Sequence, residues 1–218
     1  MSGEFAVIGL GQFGRAVALS LVREGAAVLA IDQMQERAQL VEADVDAVAV
    51  ADATDERALD ELGLDRMSCV VVAMGARARE TSILTTALLR QRGIPRIISR
   101  AANELHSRVL LAVGAHEVVN PELLMGQRLA RNLAHPTIRE QIALDESTNL
   151  LEVVAPEQFI HKSMAELDIH RRYGVTVLAL RRGSHIMPQI PPEERIARED
   201  RLILVGPPTS VRRLVSLA

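Results

Sequence analysis

Three glycines near the start of the chain are the feature that most constrains its fold. The apolar residues 5–8 lead into Gly9, Gly11 and Gly14, spaced G-x-G-x-x-G, and then into a run of helical composition. In this arrangement the first glycine permits a tight turn, the second lets the backbone approach a phosphate, and the third lets the helix pack closely on the strand. A helix N-terminus also offers free N–H groups and the positive end of its dipole. The stretch therefore predicts a site for a ligand that contains phosphate.

An acidic residue after the second predicted strand favours a nucleotide as that ligand. Residues 27–31 are apolar and are followed by Asp32, at the distance from the glycines where dinucleotide-binding sites have their ribose-binding acid. A carboxylate there favours NAD or an adenosine phosphate over NADP. Two alternatives stay open: the glycines serve packing only, or Asp32 caps the next helix.

Strands and helices alternate over the first 120 residues. The predicted strands are apolar almost throughout and lie at residues 5–8, 27–31, 47–50, 69–73, 96–99 and 116–119. Such strands, joined by helices, form a parallel sheet covered on both faces. The sequence predicts an α/β protein with a six-stranded Rossmann-type domain over residues 1-120. Residues 121-136 are predicted to form a crossover helix and residues 137-218 a smaller α+β domain, which we expect to dimerise because it can bury only a limited core.

Composition argues against several classes of function. The formal net charge is −3 and the pI about 6.1, so nothing attracts the chain in general to nucleic acid. Aromatic residues make up only 2% of the chain, which disfavours stacking on single-stranded bases. The single cysteine, Cys69, lies in an apolar run and is typical of a core residue in a reducing compartment. Since no apolar run approaches the roughly 18 residues of a membrane span, we expect a cytoplasmic protein with no nucleic-acid partner.

Both halves of the sequence resemble the KTN/RCK proteins, the cytosolic regulators of potassium conductance found as Ktr/Trk uptake subunits and as channel gating domains. The similarity runs from Phe5 to about Gly206. It is carried by the glycine motif, Asp32, Asp52-Ala53-Thr54, Val113-Gly114-Ala115, Asn120-Pro121-Glu122, Met125-Gly126, residues 173–179 and residues 200–206. Because these segments occur in order across both predicted domains, the resemblance is more specific than the glycine motif alone.

The resemblance implies a regulatory subunit rather than an enzyme. It would lie at the inner face of the cell membrane, form homodimers that assemble into an octameric ring, and act on a membrane-embedded potassium-translocating subunit. A nucleotide that binds two ring states with different affinity would bias the gate. The implied ligand is ATP, ADP or NAD(H). The residues implied to bind it are Gly9, Gly11, Gln12, Phe13, Gly14, Asp32, Asp52, Ala53, Thr54, Ala73, Met74 and Arg100.

One departure and two further sites also follow from the resemblance. Close Ktr-type relatives have an arginine in place of Gln12, and it reaches the terminal phosphate of ATP in the neighbouring subunit, so a neutral Gln12 favours ADP or NAD. Glu122 would bind Mg²⁺ or Ca²⁺ beside the phosphates, although an acid in a first helical turn is also ordinary dipole compensation. Some relatives bind cyclic di-AMP in the C-terminal domain. The candidate residues there are Ile160, Met164, His170 and Pro191.

Two other classes of function stay open from the sequence. An NAD-dependent oxidoreductase would use the same glycine motif, but the last 80 residues show no evident catalytic base and no Ser/His/Asp or Cys/His arrangement stands out. A redox-sensing DNA-binding regulator would need a basic helix-turn-helix segment, and none is evident. The sequence therefore favours a nucleotide sensor over both.

Overall fold

The computed structural model describes residues 3–134, 137–145 and 147–215, and the side chains of all of these except 212 and 215. The chain forms two compact units, Met1–Gly126 and Gln127–Ala218. The predicted division into residues 1-120, 121-136 and 137-218 stays a prediction, and residues 1, 2, 135, 136, 146 and 216–218 within it lie outside the described ranges.

The first unit is built on one parallel sheet of six strands. The strands are β1 (Glu4–Ile8), β2 (Ala27–Asp32), β3 (Ala47–Val50), β4 (Cys69–Val72), β5 (Ile97–Arg100) and β6 (Glu117–Val119). Their order is β3-β2-β1-β4-β5-β6, with every neighbouring pair parallel. The predicted Rossmann-type fold is confirmed. Strands β2 and β3 lie on one side of β1, and strands β4 to β6 lie on the other side. Sheets with this change in strand order bind ligands at that point, outside the carboxyl ends of the strands.

Helices cover both faces of this sheet. They are α1 (Gln12–Arg23), α2 (Gln35–Gln39), α3 (Glu56–Glu61), α4 (Arg79–Gln91) and α5 (Glu104–Ala112); a further helix, α6 (Pro121–Ala134), follows β6. Successive strand residues point to opposite faces, so Ile8 and Val72 belong to one buried cluster while Val7 and Val71 belong to the other. Both faces are therefore packed with apolar side chains, which explains why the strands are apolar throughout.

The second unit is a smaller α+β domain, as the sequence predicts. Its strands are β7 (Ile138–Ala143), β8 (Asn149–Val154), β9 (Thr176–Arg182), β10 (His185–Met187) and β11 (Arg201–Gly206), and its helices are α7 (Met164–Leu167), α8 (Ile169–Tyr173) and α9 (Pro208–Val215). The sheet is antiparallel in the order β10-β9-β11-β8-β7. Its core includes Phe159, Leu180 and Leu202, with the rings of Phe159 and Tyr173 5.8 Å apart.

Helix α6 leaves its apolar side chains in solvent. Residues 122–134 are all exposed, and Met125, Leu129 and Leu133, one helical turn apart from each other, are 62%, 59% and 74% exposed. Three apolar residues at this spacing form a stripe on one face of a helix. Within the described ranges, no helix combines the length and the apolar character that a membrane span requires.

Candidate nucleotide-binding site

The loop between β1 and α1 is shaped by close contacts that only glycine permits. Gly9 has a φ of +96°, and its N–H donates to the Ile31 carbonyl at 2.8 Å. A Cβ on Gly14 would lie 1.8 Å from the Gly9 carbonyl oxygen. The helix therefore approaches the strand end as closely as the backbone allows, and both glycines are required by the turn itself.

Gly11 differs from its two neighbours because it faces open space. It is the N-cap of α1, and no side chain caps the helix. A Cβ on Gly11 would have no other atom within 4 Å. The first intrahelical hydrogen bond runs from the Arg15 N–H to the Gly11 carbonyl at 2.9 Å. The N–H groups of the residues before Arg15 therefore have no acceptor within the helix. This end of α1 can donate hydrogen bonds to an anion that lies against Gly11.

Asp32 is the last residue of β2 and is 4% exposed. Its side chain links the glycine loop to the end of β2 by hydrogen bonds. Its carboxylate accepts hydrogen bonds from the N–H groups of Leu10 at 2.7 Å and of Met34 at 2.9 Å. Arg37 lies 3.6 Å from the same carboxylate. A carboxylate has about four lone-pair positions, so Asp32 keeps acceptor capacity for a ribose hydroxyl while it holds the loop and the start of α2.

A cavity of about 620 Å³ opens at the carboxyl ends of these strands, within the size range of small-molecule sites. The predicted residues that line it are Gly9, Gly11, Gln12, Asp32, Asp52, Ala53, Ala73, Met74 and Arg100. The structure thus brings together residues from the ends of β1, β2, β3, β4 and β5. Their role in binding a ligand stays a prediction.

Three predicted residues do not line the cavity. The Phe13 ring lies under the Arg100 guanidinium, 5.3 Å from it. Gly14 packs against the backbone of Gly9. The Thr54 N–H and hydroxyl both donate to Asp52, at 2.9 and 2.7 Å, and hold the pKa of that carboxyl below its usual value. All three support lining residues rather than face the cavity.

The cavity also has walls that sequence reasoning missed. They are Ile8 at the end of β1, Gln33, Met34 and Arg37 after β2, Ala51 after β3, Gly75, Ala76, Arg77 and Ala78 after β4, and Thr81 in α4. None of them belongs to a motif. The signal that could have found them is positional, because the loops that follow strands of a parallel sheet meet at the edge where ligands bind.

Glu122, the predicted metal ligand, forms an ion pair with Arg100. Its own backbone N–H and the Arg100 guanidinium lower the pKa of Glu122, against an opposing effect of burial. Among the residues that the structure describes, no group of three or more His, Cys, Asp or Glu side chains is placed to hold a metal ion. One chain alone does not fit a divalent cation here, so the metal role of Glu122 stays a prediction that needs ligands from a nucleotide or a second chain.

The four candidate residues of the C-terminal domain lie on four different segments of the chain. Ile160 and Met164 pack against the core, and the Met164 N–H donates to the Glu194 carbonyl, next to the turn that begins at Pro191. His170 is exposed, with Nδ1 3.2 Å from the Thr176 hydroxyl. A cavity of about 300 Å³ in this unit is lined by α6 and β7 instead. Cyclic di-AMP binding stays a prediction.

Comparison with known proteins decides the family. Residues 5–121 match the TrkA-N domain and residues 150–218 match the TrkA-C domain. The chain belongs to the TrkA/Ktr family of KTN/RCK proteins. The resemblance drawn from the sequence is therefore confirmed over both domains.

Relatives of this TrkA/Ktr-family chain include proteins of nearly the same length. It is 35% identical to the Ktr system potassium uptake protein C of Bacillus subtilis, over 98% of this chain and 96% of that protein. The crystal structure of the GsuK RCK domain is 26% identical, with a TM-score of 0.57, and matches 99% of this chain but only 47% of that one. The NAD(P)-binding domain of an exopolyphosphatase-related protein from Archaeoglobus fulgidus is 25% identical, with a TM-score of 0.54, over 61% of this chain and 98% of that chain.

Proposed function

We propose that this chain is a non-enzymatic, nucleotide-sensing regulatory subunit of a potassium-transport system. It acts from the cytoplasmic side of the membrane on a membrane-embedded potassium-translocating partner. Support comes from relatives that match nearly the whole chain and are named as potassium uptake proteins. The oxidoreductase alternative is not favoured, because these full-length relatives are not named as enzymes.

The proposed ligand is ATP, ADP or NAD(H), and the observation that carries this proposal is the open space at Gly11. A Cβ would project there into an empty region beside the N-terminus of α1, which is the place and shape that a phosphate needs. We propose that Asp32 accepts a hydrogen bond from a ribose hydroxyl with its remaining lone pairs. The archaeal NAD(P)-binding domain that matches 61% of this chain supports the same class of ligand.

Ligand binding can affect a partner only if it favours one conformation over another. The cavity is formed by loops after β1, β2 and β4, together with Arg100 at the end of β5. A nucleotide that contacts several of these segments at once stabilises the arrangement in which they face each other. We propose that this preference is what the subunit transmits to the transport protein.

The proposed assembly is a homodimer that builds an octameric ring. The apolar stripe of α6, formed by Met125, Leu129 and Leu133, supports dimerisation through this helix, because exposed apolar patches of this kind mark interaction surfaces. From the sequence, the smaller domain is expected to dimerise. We propose α6 as part of the dimer contact, with Glu122 at its start available to a cation shared with bound nucleotide.

The proposed function is tested with Gly11→Ala. We expect the purified wild-type chain to bind ADP, ATP or NAD⁺ in calorimetric titrations with and without Mg²⁺, and the variant to lose at least about tenfold in affinity because its methyl group occupies the phosphate position. Asp32→Ala is a less direct test, since it also removes the acceptor for Leu10 and Met34. Nucleotide-dependent potassium flux through the co-reconstituted membrane partner is the functional readout. Equal nucleotide binding by wild type and variant contradicts the site.

A further inference from the structure

The cavity of the first unit is lined by three arginines, and two of them already face carboxylates. Arg37 lies 3.6 Å from Asp32, and Arg100 pairs with Glu122. Arg77 lies in the one-turn 3-10 helix Ala76–Ala78 and is exposed. Across the described ranges its side chain takes part in no hydrogen bond, ion pair or ring contact. The cavity wall therefore holds a positive charge that the chain itself does not neutralise.

The order of the strands decides which end of a ligand meets Arg77. Asp32 ends β2, on one side of the glycine loop, while Arg77 follows β4, on the other side. Consider a nucleotide with its ribose at Asp32 and its first phosphate at Gly11. The end of this nucleotide that is farthest from the base then points towards β4. Gln12, which also lines the cavity, is neutral and offers that end no charge.

We infer that Arg77 binds the terminal phosphate of a nucleoside diphosphate or triphosphate. The inference rests on the proposed nucleotide site and specifies its ligand class. A guanidinium can donate two parallel hydrogen bonds to a phosphate, whereas the nicotinamide ring of NAD⁺ carries a positive charge that Arg77 repels. The site thus distinguishes ligands by the charge at their far end and favours ADP or ATP over AMP and NAD⁺.

The test compares Arg77→Gln with a matched control, Arg79→Gln. Arg79 is also exposed and lies two residues further along, but it does not line the cavity. The full chain is titrated calorimetrically with AMP, ADP, ATP and NAD⁺ at constant ionic strength. We expect wild type to bind ADP about tenfold more tightly than AMP, and Arg77→Gln to lose about that factor for ADP and ATP while its affinity for AMP stays unchanged. Arg79→Gln is expected to match wild type for every ligand.

Two further results separate this inference from the proposed function. Arg77→Lys keeps the charge but not the planar fork, so it should bind ADP with intermediate affinity. Because Arg77 has no partner within the described chain, the melting temperature of the unliganded Arg77→Gln protein should equal that of wild type. Undiminished ADP binding by Arg77→Gln, or an equal loss for AMP and ADP, overturns the role of Arg77 and leaves the nucleotide site standing. A wild-type chain that binds none of the four ligands overturns both.

Discussion

Replacing Gly14 with alanine tests the close approach of α1 to the end of β1. The new Cβ would lie 1.8 Å from the Gly9 carbonyl oxygen and 2.9 Å from the Ala73 Cβ, far inside normal contact. Both neighbours are backbone or a single methyl group, so neither can rotate away. The helix itself must move, and with it the N–H groups that face the cavity.

The expected loss of stability follows from two opposing effects. Overpacking in a well-packed region costs about 1–3 kcal/mol, and a clash with backbone belongs at the upper end of that range. Replacing glycine by alanine inside a helix gains up to about 1 kcal/mol, and less here because Gly14 is only the third residue of α1. We expect a net loss of about 2 kcal/mol, or a melting temperature lower by about 4–8 °C.

Far-ultraviolet circular dichroism during urea denaturation is the suitable assay. The chain has no tryptophan, and its only tyrosine, Tyr173, lies in the second unit, so intrinsic fluorescence does not report on the first. Gly11→Ala is the matched control. Its Cβ meets no atom and its φ is −64°. Alanine lowers the entropy of the unfolded chain but is a poorer N-cap than glycine, so the stability of this variant should lie within about 1 kcal/mol of wild type. Wild-type stability of Gly14→Ala would refute the reasoning.

Two other predictions concern a buried histidine and the exposed helix. His106 is 5% exposed, its Nδ1 accepts the Ala102 N–H at 3.1 Å, and burial lowers its pKa. The unfolded chain therefore binds the proton more readily, so stability is full above about pH 6.5 and falls as the pH decreases below it. Urea midpoints measured from pH 8 to about pH 5 should show this fall in wild type and a smaller one in His106→Asn; identical profiles would contradict it. Leu129→Glu places a charge in the apolar stripe of α6, and light scattering should show a smaller assembly than wild type; an unchanged mass would exclude this face as the interface.

Much of the fold is predictable because its signals are local. Apolar strands that alternate with helices predict the parallel sheet, and the glycine spacing predicts the loop after β1. Strand β7 gives no such signal, since its residues 138–143 (Ile-Arg-Glu-Gln-Ile-Ala) lack a continuous apolar run and pair with β8 on one side only. Helix α2 spans only Gln35–Gln39, because the Asp32 carboxylate binds the Met34 N–H before it and residues 40–46 form turns and bends after it.

The site was predictable only in part. The spacing between the glycines and Asp32 predicts an acid near the loop, and the structure places it there. The same spacing does not show that Asp32 also binds the Leu10 N–H, 22 residues earlier in the chain. Arg77 belongs to no sequence motif. It lines the cavity because it lies in the short 3-10 helix that follows β4.

The sequence by itself determined the features that depend on one short segment: the periodicity of strands and helices, and the glycines whose missing Cβ lets α1 meet β1. The tertiary structure alone decided which charges face one another, pairing Arg100 with Glu122 and Arg37 with Asp32 while it left Arg77 facing the cavity. The physical reason is distance. Backbone geometry limits what neighbouring residues can do, whereas charges interact across a few ångströms, and strand order and register decide which distant residues come that close.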